Sequence, residues 1–221
     1  MIERDLNLPK KDKNGKSRLS FSQIKCFKES KENFINRYIL NEPFVSNEYI
    51  DFGSKVGEAL ENDNFNNFHE LEEEILRKVE RLDEFEKFVK LDFGGFVMFG
   101  YIDSNTKDLS KIIDYKTGGK KKELIYSKED YTQLCYYALA LRQEYNITPD
   151  IAQVHFIRRG GNLFRGHDLV VAQEDPIIID IDISEKRLIK VYYETIEIAK
   201  EIESFYLDYI NKNKVQTVLF K

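Results

Sequence analysis

The chain has 221 residues, with 34 Lys and Arg against 39 Asp and Glu, for a formal charge of −5 at pH 7. At 42% hydrophobic residues, including 16 Phe and 13 Tyr, it can bury a real core. Two cysteines, Cys26 and Cys135, exclude a disulfide scaffold and a four-thiolate metal site, and no window approaches the roughly 20 apolar residues of a membrane span.

Residues 1–18 are polar and predict a flexible lead-in; residues 19–221 predict a single domain. Ser20-Phe-Ser22 opens a helical pattern through Ile24, Phe27, Phe34, Ile35 and Tyr38, with the serines as candidate N-caps, and Asn41-Glu-Pro43 breaks it. A short helix is expected over about 54–61, then a polar linker to 67. Between His69 and Asp92 stand nine acids and five bases, a net −4. Leu71, Ile75, Leu82, Phe85, Phe88 and Val89 recur there at spacings of three, four and seven. This predicts a helical acidic insertion at about 62–92, its acids on the wet face.

Phe93 to Asp103 then reads as strand, 104–111 as a turn and Ile112 to Thr117 as a second strand, ended by Gly118-Gly119. A periodic helix is expected over 130–145, a hairpin over 151–158 and 163–171, a further strand over 177–183 and a closing helix over 185–209. This order predicts an α/β domain with a mixed sheet covered by helices. Bases gather in three places. Lys10, Lys11, Lys13, Lys16 and Arg18 lie at the start, Lys120, Lys121 and Lys122 follow the second strand, and Arg158, Arg159 and Arg165 flank Gly160-Gly161. Such patches can track a phosphate backbone whatever the net charge, so Lys120, Lys121, Lys122, Arg158 and Arg159 are the candidate nucleic-acid contacts.

The segment with chemistry in it is Gly100-Tyr-Ile-Asp103 followed by Ile112-Ile-Asp114-Tyr-Lys116-Thr-Gly118. Strand residues two apart share a face, so Asp114 and Lys116 point the same way, and a hairpin puts Asp103 almost opposite Asp114. The consecutive Ile112 and Ile113 predict burial on both faces, where charge is expensive unless a metal or a partner compensates it. Two carboxylates and one ammonium suit a hard divalent ion and phosphodiester hydrolysis; the other reading is a solvent-facing charge ladder. Gln133 and Tyr137, four apart on an otherwise apolar helix face, can hydrogen-bond a phosphate or an active-site carboxylate, or are polar tips of a core helix.

In this order the segments resemble the RecB-type branch of the PD-(D/E)XK nuclease superfamily. Ser20-Phe-Ser22-Gln-Ile24 through Tyr38 resembles its opening helix and Gly53-Ser-Lys-Val-Gly57-Glu-Ala-Leu-Glu61 its short helix. Gly100–Asp103 with Ile113–Gly118 resembles its catalytic hairpin, and Gln133-Leu-Cys-Tyr-Tyr137 its accessory helix. The resemblance implies a restriction-endonuclease-like α/β core, a central mixed sheet flanked by helices on both faces. It also implies a Mg²⁺- or Mn²⁺-dependent DNA nuclease, an exonuclease rather than an endonuclease, serving recombination, repair or phage DNA processing. By carry-over, Asp103 and Asp114 bind the metal, the Tyr115 carbonyl is a further ligand, Lys116 assists the nucleophilic water, and Gln133 and Tyr137 complete the catalytic set.

Two departures from the family matter. Its short-helix histidine falls on Gly57, so Glu58, or alternatively Glu61, is expected to stand in as metal ligand. Ser30 replaces a cysteine of the iron–sulfur relatives and the C-terminal cysteines are absent, so no iron–sulfur cluster is expected, and Cys26 and Cys135 are expected to be buried apolar residues. His69 is expected on the surface, and His155 and His167 in structural roles. The expected partner is DNA, with other replication or recombination proteins and no membrane, in the cytoplasm, and the acidic stretch is expected to face away from the bound strand. A catalytically degenerate homologue, binding DNA or protein without cutting, is the alternative.

Overall fold

The computed structural model describes residues 4–126 and 131–219. Ser20 caps α1 (Phe21–Glu29) by accepting the Gln23 N–H, and Ser30 caps α2 (Lys31–Phe34) by accepting that of Asn33. The second cap divides the expected single helix. Asn47 caps α3 (Glu48–Asn62), which begins earlier than expected and buries Phe52, Val56, Ala59 and Leu60.

Only the first part of the acidic stretch is helical. The exposed His69 caps α4 (Glu70–Leu76), with Glu72 completing a capping box. Glu84–Asp92 is strand β2, not the expected helix. Val89 and Leu91 turn inward at a spacing of two while Glu86 and Phe88 turn out. Pairing with β3 (Val97–Asn105) along the whole strand overrides the helical spacing of the apolar residues.

Among the described residues the sheet has seven strands. One edge of β3 carries β2. The other takes β1 (Arg18–Leu19) in parallel at Val97–Met98 and β4 (Lys111–Gly118) antiparallel at Ser104–Asn105. β4 then runs parallel to β5 (Ile151–Asn162), whose far edge holds β6 (His167–Val171) and β7 (Ile177–Asp180). Helices α5 (Lys120–Tyr126), α6 (Gln133–Tyr145) and α7 (Glu185–Leu219) complete the chain, α7 extending past the expected end at 209.

The sheet separates two cores. On one face Ile102, Ile112, Val154 and Phe156 pack with Phe27, Leu134, Leu141, Leu188 and Ala199 of α1, α6 and α7. On the other, Ile157 and Val171 meet Phe52, Val56, Leu60, Ile75 and Leu76 of α3 and α4. Ile112 and Ile113 are both fully buried, as strand residues covered on both sides must be. A mixed sheet with helices on both faces is the restriction-endonuclease-like α/β architecture expected.

The N-terminal segment is not a loose lead-in. Leu6 and Leu8 are buried in the main core, and the Ser17 hydroxyl accepts the Leu8 N–H. Arg4 and the Asn7 N–H both donate to Glu203 of α7, and Arg4 holds that carboxyl below its ordinary range. Cys26 and Cys135 are buried free thiols, and burial pushes Cys135 up to about 11. Among the described residues no helix is long and apolar enough to cross a membrane.

Candidate active site

β3 and β4 pair at only two positions, Ser104 with Ile113 and Asn105 with Ile112, and then separate as β4 follows β5. Separation frees backbone groups that a continuing ladder would have satisfied. The first of them, the Tyr115 N–H, donates to Asp103 Oδ2 at 2.7 Å, so the Asp103 carboxylate is held in the fork between the strands. Lys116 follows on β4 and reaches back into the same fork. Its Nζ lies 2.6 Å from Asp114, 3.3 Å from the Tyr115 carbonyl and 4.0 Å from Asp103.

Asp114 itself is fully buried. A carboxylate there needs partners on all sides, and the fold supplies them. Besides Lys116, the Tyr131 hydroxyl donates to Asp114 Oδ2 at 2.7 Å. The Gln133 amide lies 2.9 Å from that same hydroxyl and 2.7 Å from the Tyr137 hydroxyl. A phenol has one proton, so Tyr131 shares it between Asp114 Oδ2 and Gln133 Oε1, while Gln133 Nε2 donates to the Tyr137 hydroxyl. Asp114, Tyr131, Gln133 and Tyr137 thus form one buried chain. Burial, then the Asp114 charge, raise both phenols above their ordinary value and keep them protonated. The Tyr137 ring passes directly over Gly100, where a Cβ would stand 2.5 Å from its Cε1. Glycine is required there by close approach.

Electrostatics in the fork are unbalanced. Burial, then the neighbouring Asp114, push the Asp103 carboxyl up to about 7, against the Lys116 ammonium and the Tyr115 N–H. Burial acts to lower the Lys116 ammonium, yet Asp114 and Asp103 outweigh it and hold the charge above its ordinary value. The excess of oxygen charge continues outward. A cleft of about 500 Å³ opens from the fork, walled by α3 with Gly57, Glu58 and Glu61 and by β2 with Phe85 and Glu86. Glu86 occupies a left-handed backbone conformation, φ 50°, unusual for a residue with a side chain. The pairs on either side of it, Phe85 with Ser104 and Lys87 with Ile102, put it level with Asp103. Burial, then the Glu61 charge, raise its carboxyl.

A sequence profile of the PD-(D/E)XK nuclease superfamily matches residues 62–165, the stretch that contains Asp103, Asp114, Lys116, Gln133 and Tyr137. Residues 62–165, just under half of the chain, are therefore similar to this superfamily. Among solved structures, that of a "putative exonuclease" from Eubacterium rectale matches with a TM-score of 0.58 at 13% identity, covering 86% of this chain and 82% of that chain. At that identity the likeness is one of fold. No curated protein matches the chain.

The fork has donors of the right kind for a hard divalent ion. Asp103, Asp114 and the Tyr115 carbonyl are all oxygen donors, gathered around one ammonium shared by the two carboxylates. The third acid is not gathered in. Among the described residues no three His, Cys, Asp or Glu side chains group closely enough to hold a metal. Glu58 and Glu61 stand exposed on the cleft wall, and Glu61, not Glu58, acts on Glu86. A Cβ built on Gly57 would meet nothing within 4 Å, so the family's histidine position opens on free space.

The expected basic contacts divide. Arg158 is committed internally, 2.8 Å from Glu123 and paired with Glu174, so it offers little charge to a phosphate. Arg159 lies over the Tyr49 ring, 4.3 Å from its centroid. Burial, then Lys25 and Arg159, lower the Lys122 ammonium, which marks a cluster of cations beyond the ends of β4 and β5. Lys120 and Lys121 are exposed at the start of α5, not in a loop. The N-terminal bases serve the fold: Lys16 pairs with Asp92 at 2.9 Å, and Lys11 donates to Ser17. His155 is buried, and burial drops it to about 4, so it stays neutral in a structural position; His167 is exposed.

Sequence reasoning missed two residues of this site. Tyr131 lies before the first turn of α6, outside the helical face that singled out Gln133 and Tyr137. Its spacing of two from Gln133 is the only signal it left. Glu86 was assigned to an acidic helix turned away from the cleft, and on β2 it stands in the cleft wall.

Proposed function

We propose that the chain is a divalent-metal-dependent deoxyribonuclease of the RecB-type branch, acting from DNA ends in recombination, repair or phage DNA processing in the cytoplasm. The observation that carries this reading is the convergence of Asp103, Asp114 and the Tyr115 carbonyl on Lys116 at the β3–β4 fork. Asp103, Asp114 and the Tyr115 carbonyl would hold Mg²⁺ or Mn²⁺, with Glu61 or Glu58 of α3 as the further acid; a bound ion would supply activation of water and neutralisation of charge on the scissile phosphate. Lys116 remains an ammonium at neutral pH. It therefore orients the attacking water and stabilises charge developing on the phosphate, and is not a proton acceptor. Tyr131, Gln133 and Tyr137 fix the Asp114 carboxylate against rotation. Lys120, Lys121, Lys122 and Arg159 contact the DNA backbone outside the fork. Preference for ends follows the branch resembled and the exonuclease designation of the structural neighbour.

One observation favours a second reading. Gly57 and the separated third acid leave the metal set short of a ligand, as a DNA- or protein-binding homologue without activity would be. End-labelled linear and closed-circular DNA, incubated with the purified protein and Mg²⁺, Mn²⁺ or EDTA, separate the two. Metal-dependent loss of linear DNA with circles intact is the expected result. Binding without cleavage in either metal establishes the second reading, and nicked circles overturn the preference for ends.

A further inference from the structure

Helix α3 packs on β4 and β6, and on the β2–β3 part of the sheet Phe88 and Tyr101 remain exposed. Side chains two apart on β3 share a face, so Phe99 and Tyr101 stand in one column with Asp103. β2 adds a second column in register, with Lys90 beside Phe99 and Phe88 beside Tyr101. The Phe88 ring lies 5.4 Å from Phe99 and 5.4 Å from Tyr101, inclined at 60° and 61°. Phe88 and Tyr101 are 45% and 53% exposed. The core does not use this column: Met98, Ile102, Val89 and Leu91, on the opposite face of the same strands, are the buried residues. Clustered aromatic rings left to solvent mark a binding surface.

We propose that Phe99, Phe88 and Tyr101 form a stacking platform for the bases of unpaired DNA and lead the strand into the fork at Asp103. The proposal rests on the nuclease reading and specifies its substrate as a single strand. Continuity decides the occupant, because the column ends two residues from Asp103 on the same strand face. Lys90 stands at the outer end as a cation for the backbone. Bases in a duplex stack on each other and hide their faces, whereas unpaired bases can lie on aromatic side chains.

Fluorescence anisotropy of labelled oligo-dT of about 12 nucleotides, within the site sizes of single-strand binders, tests this with the full chain in EDTA. Phe88→Ala and Tyr101→Ala are each expected to weaken binding roughly 5- to 100-fold, the loss of one stacked base, with binding of a blunt duplex unchanged. Tyr101→Phe keeps the ring and should bind like the wild type. Should an alanine variant fail to fold, Tyr101→Leu keeps apolar bulk without an aromatic face and carries the test. Unchanged oligo-dT binding in these variants overturns the proposal, as does an equal loss for duplex. A dimer that becomes a monomer in Phe88→Ala without loss of oligo-dT affinity assigns the column to self-association instead. Column-dependent binding tighter for oligo-rU than for oligo-dT overturns the choice of DNA. Binding is read without metal, so it is independent of cleavage. Cleavage with no effect of the column refutes the platform alone, and column-dependent binding without cleavage in any metal refutes the nuclease reading alone.

Discussion

The carboxylates around the fork fall into two groups with opposite physics. Asp114, on the closed side, is fully buried and tied to Lys116 and, through Tyr131, to Gln133 and Tyr137. Glu58, Glu61 and Glu86, on the open side, line a cleft from α3 and from a left-handed position of β2. Charge on the closed side is fixed by the core, and moving it means unpacking α6 from the sheet. On the open side burial and the Glu61 charge act against the Glu86 carboxylate, and Lys116 acts for it. A site built this way has one fixed anchor and one adjustable wall, and the wall holds Gly57, where the RecB-type pattern that the sequence resembles has histidine.

Substitutions can break or sharpen that contrast, beginning with the largest effect. Lys116→Met removes the cation from a buried carboxylate and is expected to cost about 3 kcal/mol in urea unfolding, besides abolishing cleavage. Equal stability of variant and wild type would show that Asp114 is not held as an ion. Gly100→Ala drives a methyl into the Tyr137 ring at 2.5 Å. It should cost about 1–3 kcal/mol in the same measurement, because the ring has buried neighbours behind it. Tyr131→Phe deletes the donor to Asp114, with an expected loss of about 1–2 kcal/mol. Tyr137→Phe, one link further out, should cost less, and the reverse order would break the chain as drawn. On the open side the sign changes. Glu86→Gly relieves the left-handed backbone and is expected to stabilise by about 1 kcal/mol, whereas Glu86→Gln, which keeps the strain, should not.

The closed side was the legible one. Asp114 and Lys116 share a strand face by period alone, the double isoleucine announces burial on both sides, and Gln133 and Tyr137 stand out as polar residues on an apolar helix. Their link to the Asp114 carboxylate runs through Tyr131, which those local rules did not single out. What stayed hidden depends on distant pairing. Phe85, Phe88 and Val89 fit a helix until β3 claims them, and only then does Glu86 enter the cleft. Arg158 looks like a phosphate contact until Glu123 and Glu174, 35 residues before it and 16 after it in the chain, close on it. Leu6 and Leu8 alternate within a polar segment too short to declare a strand, yet they enter the core beneath α7. The sequence places the basic residues, but which of them remain available to a phosphate is decided by the acids that the fold brings to them.

The most direct test of the account is single-turnover cleavage of end-labelled DNA by Asp114→Asn in Mg²⁺ and in Mn²⁺, beside the wild type. The substitution keeps the shape of the side chain and its place beside Tyr131 while removing the charge at the base of the fork. The account predicts metal-dependent cleavage by the wild type and a loss of about 10³-fold or more in the variant, with its circular dichroism spectrum unchanged. Cleavage by Asp114→Asn at the wild-type rate would contradict it.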